Sequence, residues 1–271
     1  MIDSKTKLVA LLGKPVRHSL SPVMQNAGFN ALGLNYVYLA FEPENLKKAV
    51  EGLKEMEVAG FNITMPFKTE IMNYLDRIDP IAKKIGAVNT VVNTRNGLVG
   101  YNTDGVGAVE SLKKITSLKG KKVLLIGAGG AGKSIGFYLK KEGAKITVAN
   151  KPELQAIKLA KLLGEKSIPI DSINSLEEFD ILINATPIGM KPNTNQTAIP
   201  TKLLTKKIIV FDIIYNPMET KLLKEAKKKG CKTINGLEML LNQGYAGFKL
   251  FTGKEAPKNE MRNAIMKELK K

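Results

Sequence analysis

Short apolar blocks punctuate this chain, and the stretches between them carry apolar residues at helical spacing. Leu8 to Leu12 is continuously apolar and stops at Gly13, which predicts a buried strand. Tyr36 to Phe41 alternates and is rich in β-formers, and Val58 to Ile63 and Val88 to Asn93 predict two further strands. Between them, Pro22 to Leu32 predicts a helix with Ser21 as N-cap and Pro22 at its first position, while Pro43 to Met56 has helical periodicity. The Asn96-Gly97 turn returns the chain in a short strand from Leu98 to Tyr101. This alternation predicts an α/β layer structure with a largely parallel sheet, to which the Asn-Gly turn adds one antiparallel hairpin.

A second alternation follows a helix from Val106 to Lys114. Lys121 to Ile126 reads as a buried strand that runs into Gly127-Ala128-Gly129-Gly130-Ala131-Gly132, and Lys133 to Glu142 reads as a helix. This is G-x-G-x-x-G in the setting it requires, where backbone N–H groups meet a pyrophosphate at a helix N-terminus. Strands at Lys145 to Ala149, Asp180 to Ile183 and Ile208 to Asp212, with helices at Pro152 to Leu163 and Glu219 to Lys229, extend it into a doubly wound Rossmann-type parallel sheet. Helices from Leu237 to Phe251 and Glu260 to Leu269 then have no local strand to cover. The expected organisation is an N-terminal α/β substrate domain over residues 1–103, with residues 238–271 packed back on it, and a dinucleotide-binding domain over residues 104–237.

Charge narrows the partners. Lysines and arginines number 42 against 25 acids, a formal charge of +17, but only four are arginines and the cations are scattered. The densest cluster, Lys221 to Lys232, interleaves with Leu222, Leu223 and Ala226, the pattern of a solvated helix face. There is no Trp and no basic motif interleaved with aromatics, so nucleic acid is not the expected partner and the charge favours small anions. No run of about 18 apolar residues predicts a membrane span. The N-terminal residues show no apolar signal core, so a cytoplasmic enzyme, monomer or homodimer, is expected. Cys231 is the only cysteine and His18 the only histidine, which excludes an internal disulfide and argues against a metal site.

Polar residues gather at the predicted strand ends. Ser19 and Ser21 place two hydroxyls beside a helix N-terminus, either as a carboxylate cradle or, for Ser21, as a cap alone. Phe61 to Lys68 leaves a strand and ends on a lysine that Pro66 helps to hold in place. Gly100 to Gly105 ends a strand with Asp104 between small residues. A lysine and a carboxylate at the mouth of a sheet can exchange a proton with a substrate hydroxyl. At the end of the second strand of the glycine-loop domain, an NAD enzyme places an acid for the ribose 2′-hydroxyl. This chain has Asn150-Lys151 there, and a cation suits a 2′-phosphate, so NADP is the expected cofactor.

The set G-K-P-V-x-H-S-x-S-P, N-I-T-M-P-F-K, I-G-A-V-N-T, G-Y-N-T-D-G, G-A-G-G-A, N-A-T-P-I-G-M and N-G-L-x-M-L-x-x-Q-G runs in order, covers the chain from about Gly13 to Gly253 and resembles the shikimate dehydrogenase family. The resemblance implies reversible NADPH-dependent reduction of 3-dehydroshikimate to shikimate in aromatic amino-acid biosynthesis. It implies Ser19 and Ser21 for the substrate carboxylate and Thr64, Asn89 and Asp104 for ring hydroxyls. Gln243 would reach in from the late helix, Tyr215 would lie close by, and Asn62 would support them. Lys68 becomes the acid/base, paired with Asp104. Gly127, Ala128, Gly129, Gly130 and Ala131 would hold the pyrophosphate, Asn150 and Lys151 the ribose end, and Thr186, Met190, Ile213 and Gly236 the path to the nicotinamide.

Two departures stand out. Asn150-Lys151-Pro152 replaces the family's common Asn-Arg-Thr, exchanging a bidentate guanidinium for a point charge and losing a hydroxyl and an N–H. Gln25 stands before Asn26 where the family usually has His, with little expected effect on chemistry. Within the family, an enzyme that also takes quinate, with NAD, is the alternative reading.

Overall fold

The computed structural model describes residues 2–270. Two compact units emerge: one runs to Thr103 and resumes at Gln243, and the other spans Asp104–Asn242.

The first unit contains β1 (Lys7–Leu12), α1 (Ser21–Ala31), β2 (Tyr36–Phe41), α2 (Leu46–Glu55), β3 (Gly60–Ile63), β4 (Arg77–Ile78), α3 (Pro80–Ile85), β5 (Thr90–Thr94) and β6 (Gly97–Tyr101). Its sheet has the order β2-β1-β3-β5-β6-β4. β1 pairs in parallel with β2 and β3, whereas β5 is antiparallel to both β3 and β6. Ala10, Leu12, Phe61, Ile63, Val91 and Leu98 form one buried face with Val50 and Leu53 of α2.

Caps decide where the helices begin. Asn45 accepts the N–H of Lys48, so α2 starts at Leu46 and Pro43-Glu44 stay outside it. Ser21, expected as the N-cap of α1, is instead its first residue; the cap position belongs to Leu20, whose side chain caps nothing. The hydroxyl that serves this helix start is Ser19 Oγ, which accepts the Ser21 N–H at 3.2 Å.

The second unit contains α4 (Asp104–Lys113), β7 (Lys122–Ile126), α5 (Gly130–Lys141), β8 (Lys145–Ala149), α6 (Glu153–Leu163), β9 (Lys166–Ser167), β10 (Ile181–Asn184), β11 (Ile209–Asp212), α7 (Lys221–Lys228) and β12 (Lys232–Ile234). All six strands are parallel, in the order β12-β11-β10-β7-β8-β9. β7 is covered on both faces: Val123 and Leu125 pack in one apolar layer, and Leu124 and Ile126 in the other. The order reverses between β7 and β10, which opens a crevice at their carboxyl ends. α5 begins at Gly130, inside the glycine loop and earlier than the expected Lys133.

The chain closes with α8 (Gly236–Thr252) and α9 (Lys258–Glu268). α8 belongs to the second unit as far as Asn242 and to the first from Gln243 onward. In the first unit, α9 packs on α1, where Gly28 leaves room for Phe248 and Met261. Among the described residues no helix is long and apolar enough to cross a membrane.

Candidate active site

Because β5 alone runs against its neighbours, its start shares one edge of the sheet with the ends of β1, β3 and β6. That edge carries Thr64, Lys68 and Asn89, and the segments beside it carry Ser19, Ser21 and Gln243. A buried polar frame links several of them. Asn62 Nδ2 donates to Asn89 O and Thr90 Oγ1, both at 2.9 Å, while its Oδ1 accepts the Tyr38 phenol at 2.8 Å. Asn89 Oδ1 accepts the Thr103 N–H at 2.8 Å and the Thr90 hydroxyl at 3.0 Å, and Asn89 Nδ2 donates to Thr103 Oγ1 at 3.0 Å. The Thr103 hydroxyl in turn reaches Gln243 Oε1 at 3.4 Å.

Lys68 is held through its backbone. Phe67 is buried, its N–H bonds Thr64 O at 3.0 Å, and Lys68 O accepts the Val88 N–H at 2.8 Å. The lysine stem therefore leaves from a fixed point beside Asn89. The loop carrying Ser19 is pinned differently: Glu42 Oε1 accepts the N–H groups of Val16 at 2.7 Å and Arg17 at 3.2 Å. The Val16 N–H holds the Glu42 carboxyl below the usual carboxylate range.

Three participants were not legible from motifs. Tyr38 reads as an ordinary β-former, yet it is fully buried and its phenol, raised far above its ordinary pKa by burial, joins the polar frame at Asn62. Glu42 lies in the loop after β2, and only the fold brings it to Val16. Gln25, expected to have little effect on the chemistry, has a structural part instead: it is buried and donates to Gly244 O at 2.9 Å, tying α1 to α8 beside Gln243.

In the second unit the glycine loop contains two kinds of glycine. Gly127 has φ +109°, and a Cβ there would stand 2.6 Å from Ala185 O; at Gly132 a Cβ would overlap Gly127 O. These two close the turn. At Gly129 and Gly130 a Cβ would meet nothing within 4 Å, so the backbone lies open at the N-terminus of α5. An open run of main-chain N–H groups at a helix start fits a pyrophosphate. Ala128 is not part of that open run, since its N–H bonds Asn150 Oδ1 at 3.0 Å. Asn150 Nδ2 donates to Pro152 O at 2.9 Å and to Gln155 Oε1 at 3.1 Å, so this carboxamide shapes the loop. Lys151 is exposed, with Nζ 3.4 Å from Asp171 Oδ2.

A buried node fixes the other side of the crevice. Asn184 Oδ1 accepts the N–H of Thr186 at 3.1 Å and its hydroxyl at 2.6 Å, and Asn184 Nδ2 donates to Ile188 O and Asp212 Oδ1, both at 3.1 Å. Asp212 also accepts the Thr220 hydroxyl at 2.7 Å and the Ile214 N–H at 3.2 Å. Burial raises this carboxyl above its ordinary pKa. The sequence signal was a charged residue ending an apolar strand. Gly236 lies against Ile213, where a Cβ would overlap its carbonyl oxygen. Met190 sits on an exposed turn. Asp104 opens α4, and Tyr215 follows β11 with its phenol raised in pKa by burial. Both stand in the second unit.

Comparison with known proteins follows the same division. The model of the shikimate dehydrogenase substrate binding domain matches residues 11–91, that of shikimate / quinate 5-dehydrogenase matches 110–236, and that of the shikimate 5′-dehydrogenase C-terminal domain matches 236–266. A shikimate dehydrogenase (NADP(+)) of Methanococcus vannielii is 48% identical over 284 residues, covering 100% of both chains. A crystal structure of a shikimate dehydrogenase in complex with NADP+ superposes with a TM-score of 0.95 at 46% identity, over 100% of this chain and 98% of that one. Shikimate 5-dehydrogenase from Listeria monocytogenes, solved with shikimate and NAD, gives 0.93 at 39% identity, over 97% and 98%. With identity at this level along the whole length, and with one mixed sheet and one wholly parallel sheet in separate units, the chain belongs to the shikimate dehydrogenase family.

Proposed function

We propose that the protein catalyses the reversible reduction of 3-dehydroshikimate to shikimate with NADPH, a step toward the aromatic amino acids. The observation that carries this reading is full-length similarity to NADP-dependent shikimate dehydrogenases in a chain that keeps Lys68, Asp104, Thr64 and Asn89. When bound, NADPH supplies the hydride delivered to the ring carbonyl carbon. Lys68 gives a proton to the carbonyl oxygen as the hydroxyl forms and takes it back in the reverse direction. Asp104 orients that proton.

Ser19 and Ser21 hold the substrate carboxylate. Ser19 Oγ accepts the Ser21 N–H through a lone pair, which leaves its O–H able to donate to the ligand carboxylate. Thr64, Asn89 and Gln243 take ring hydroxyls on the frame described above. Tyr215, a phenol that is protonated at neutral pH and whose pKa burial raises further, serves as a donor. The loop of Gly127, Ala128, Gly129, Gly130 and Ala131 cradles the pyrophosphate, with the open backbone of Gly129 and Gly130 nearest to it and Gly127 and Ala128, whose N–H groups bond Ala149 O and Asn150 Oδ1, shaping the turn. Lys151 meets the 2′-phosphate, and Thr186, Met190, Ile213 and Gly236 flank the nicotinamide.

One observation favours a second reading in which NAD is also used, as in the quinate-accepting alternative. The commitment of the Asn150 carboxamide to protein partners leaves Lys151 to recognise the 2′ position. Steady-state oxidation of shikimate and of quinate, each with NADP and NAD, separates the two. The expected result is kcat/KM for shikimate with NADP at least about tenfold above every other pairing. Quinate oxidation with NAD as efficient as shikimate oxidation with NADP would overturn the first reading.

A further inference from the structure

Recognition of the ribose 2′ position draws on few groups in this chain. Both ends of the Asn150 carboxamide are engaged by protein atoms, and Pro152 offers neither an N–H nor a hydroxyl. Lys151 is left as a point charge, with 77% of its side chain exposed. It is not electrostatically isolated. Asp171, on the short 3-10 turn Ile170–Ser172 beyond β9, brings Oδ2 to 3.4 Å from Lys151 Nζ with 83% of its side chain exposed. Lys151 and Asp171 line one cavity of about 410 Å³, with Lys202 and Asn174 against an apolar wall that includes Ile188.

We propose that Asp171 is a specificity-determining residue that narrows the preference for NADP over NAD by countering the charge of Lys151. The inference rests on the reading of Lys151 as the partner of the 2′-phosphate. A phosphate monoester carries between one and two negative charges at neutral pH, so a carboxylate in the same cavity repels it while also occupying its ammonium partner. A 2′-hydroxyl is uncharged and can donate to a carboxylate, the device by which an acid selects NAD in such folds. Here the acid comes from the turn after β9, the strand paired beside β8, rather than from the end of β8 itself. Neutralising it leaves Lys151 and Lys202 to face the phosphate and leaves the adenine and pyrophosphate contacts, common to both cofactors, as they were.

The test is calorimetric and needs no turnover: full-length protein titrated with adenosine 2′,5′-bisphosphate and with 5′-AMP. Asp171→Asn is expected to tighten the bisphosphate about three- to tenfold and to leave 5′-AMP within about twofold, with the gain shrinking as salt rises. Lys151→Ala is expected to weaken the bisphosphate at least about tenfold and spare 5′-AMP. Both side chains are exposed, so melting temperatures should stay at the wild-type value. If Asp171→Asn leaves the bisphosphate unchanged, weakens it, or tightens both ligands equally, the inference is wrong. If Lys151→Ala has no effect on the bisphosphate, the reading of Lys151 fails and takes the inference with it, a pattern distinct from failure at Asp171 alone.

Discussion

Asn150→Ala asks whether a motif residue binds the cofactor or builds its cradle. Truncation leaves the Ala128 N–H without its acceptor, and Ala128 is 4% exposed, so water replaces that bond poorly. A buried donor left unpaired costs about 1–3 kcal/mol. The bonds from Nδ2 to Pro152 O and Gln155 Oε1 lie at exposed residues, where water compensates and each loss is about 0.5 kcal/mol. The sum is about 2–4 kcal/mol. For a unit the size of Asp104–Asn242, this lowers the melting temperature by roughly 7–14 °C.

The same variant should weaken 5′-AMP binding, because the loop that cradles the phosphate loses its tether. Asn150→Asp is not conservative either: one oxygen keeps the Ala128 N–H, but the other faces Pro152 O, an acceptor that cannot turn away. Differential scanning fluorimetry and calorimetry on the three proteins check both effects. If Asn150→Ala melts within 1 °C of wild type yet binds 5′-AMP poorly, the side chain touches the cofactor and the scaffold argument is refuted.

The glycines offer a contrast. Gly130→Ala should hold or raise stability by up to about 1 kcal/mol, as Ala is the better helix former, while its methyl enters the open cradle and weakens cofactor binding. Gly132→Ala, driven into Gly127 O, should lower the melting temperature by the equivalent of about 3 kcal/mol or more. Lys68→Ala should reduce kcat about 10²- to 10⁴-fold with a much smaller change in KM, and a near-normal kcat would remove Lys68 from proton transfer. For Asp212, burial raises the folded pKa, so the native state holds this proton more tightly than the unfolded chain. Its stabilising contribution is then full below the ordinary carboxylate pKa and is lost as pH rises through the folded value. Urea melts from pH 4 to 7 should show wild type losing stability relative to Asp212→Asn over that window, and parallel profiles would contradict the assignment.

How much of this was legible in the sequence depends on the kind of question asked. Element type followed from periodicity, because β1, β3, β7, β10 and β11 are apolar runs and the helices between them have one wet face. β4 escaped because two residues have no period, and α3 although Asp79 and Pro80 form a readable helix start. The start of α1 shifted because Ser19, two residues before Ser21, took the capping bond.

Side-chain roles were harder to read because a motif specifies residue type but not how hydrogen-bonding capacity is spent. Asn62 and Asn150 both sit in ligand-like motifs, and both commit their carboxamides to protein atoms. Asp171 lies in no motif and becomes relevant only because β9 pairs with β8 and sets its turn beside Lys151. The chemistry of the strand end after β8 is therefore distributed over two segments some 20 residues apart. A substitution at Lys151 alone does not report the charge that the 2′ position meets. Restoring an arginine there would improve phosphate geometry while leaving the opposing carboxylate in place, so the full gain in NADP selectivity requires both positions to change together.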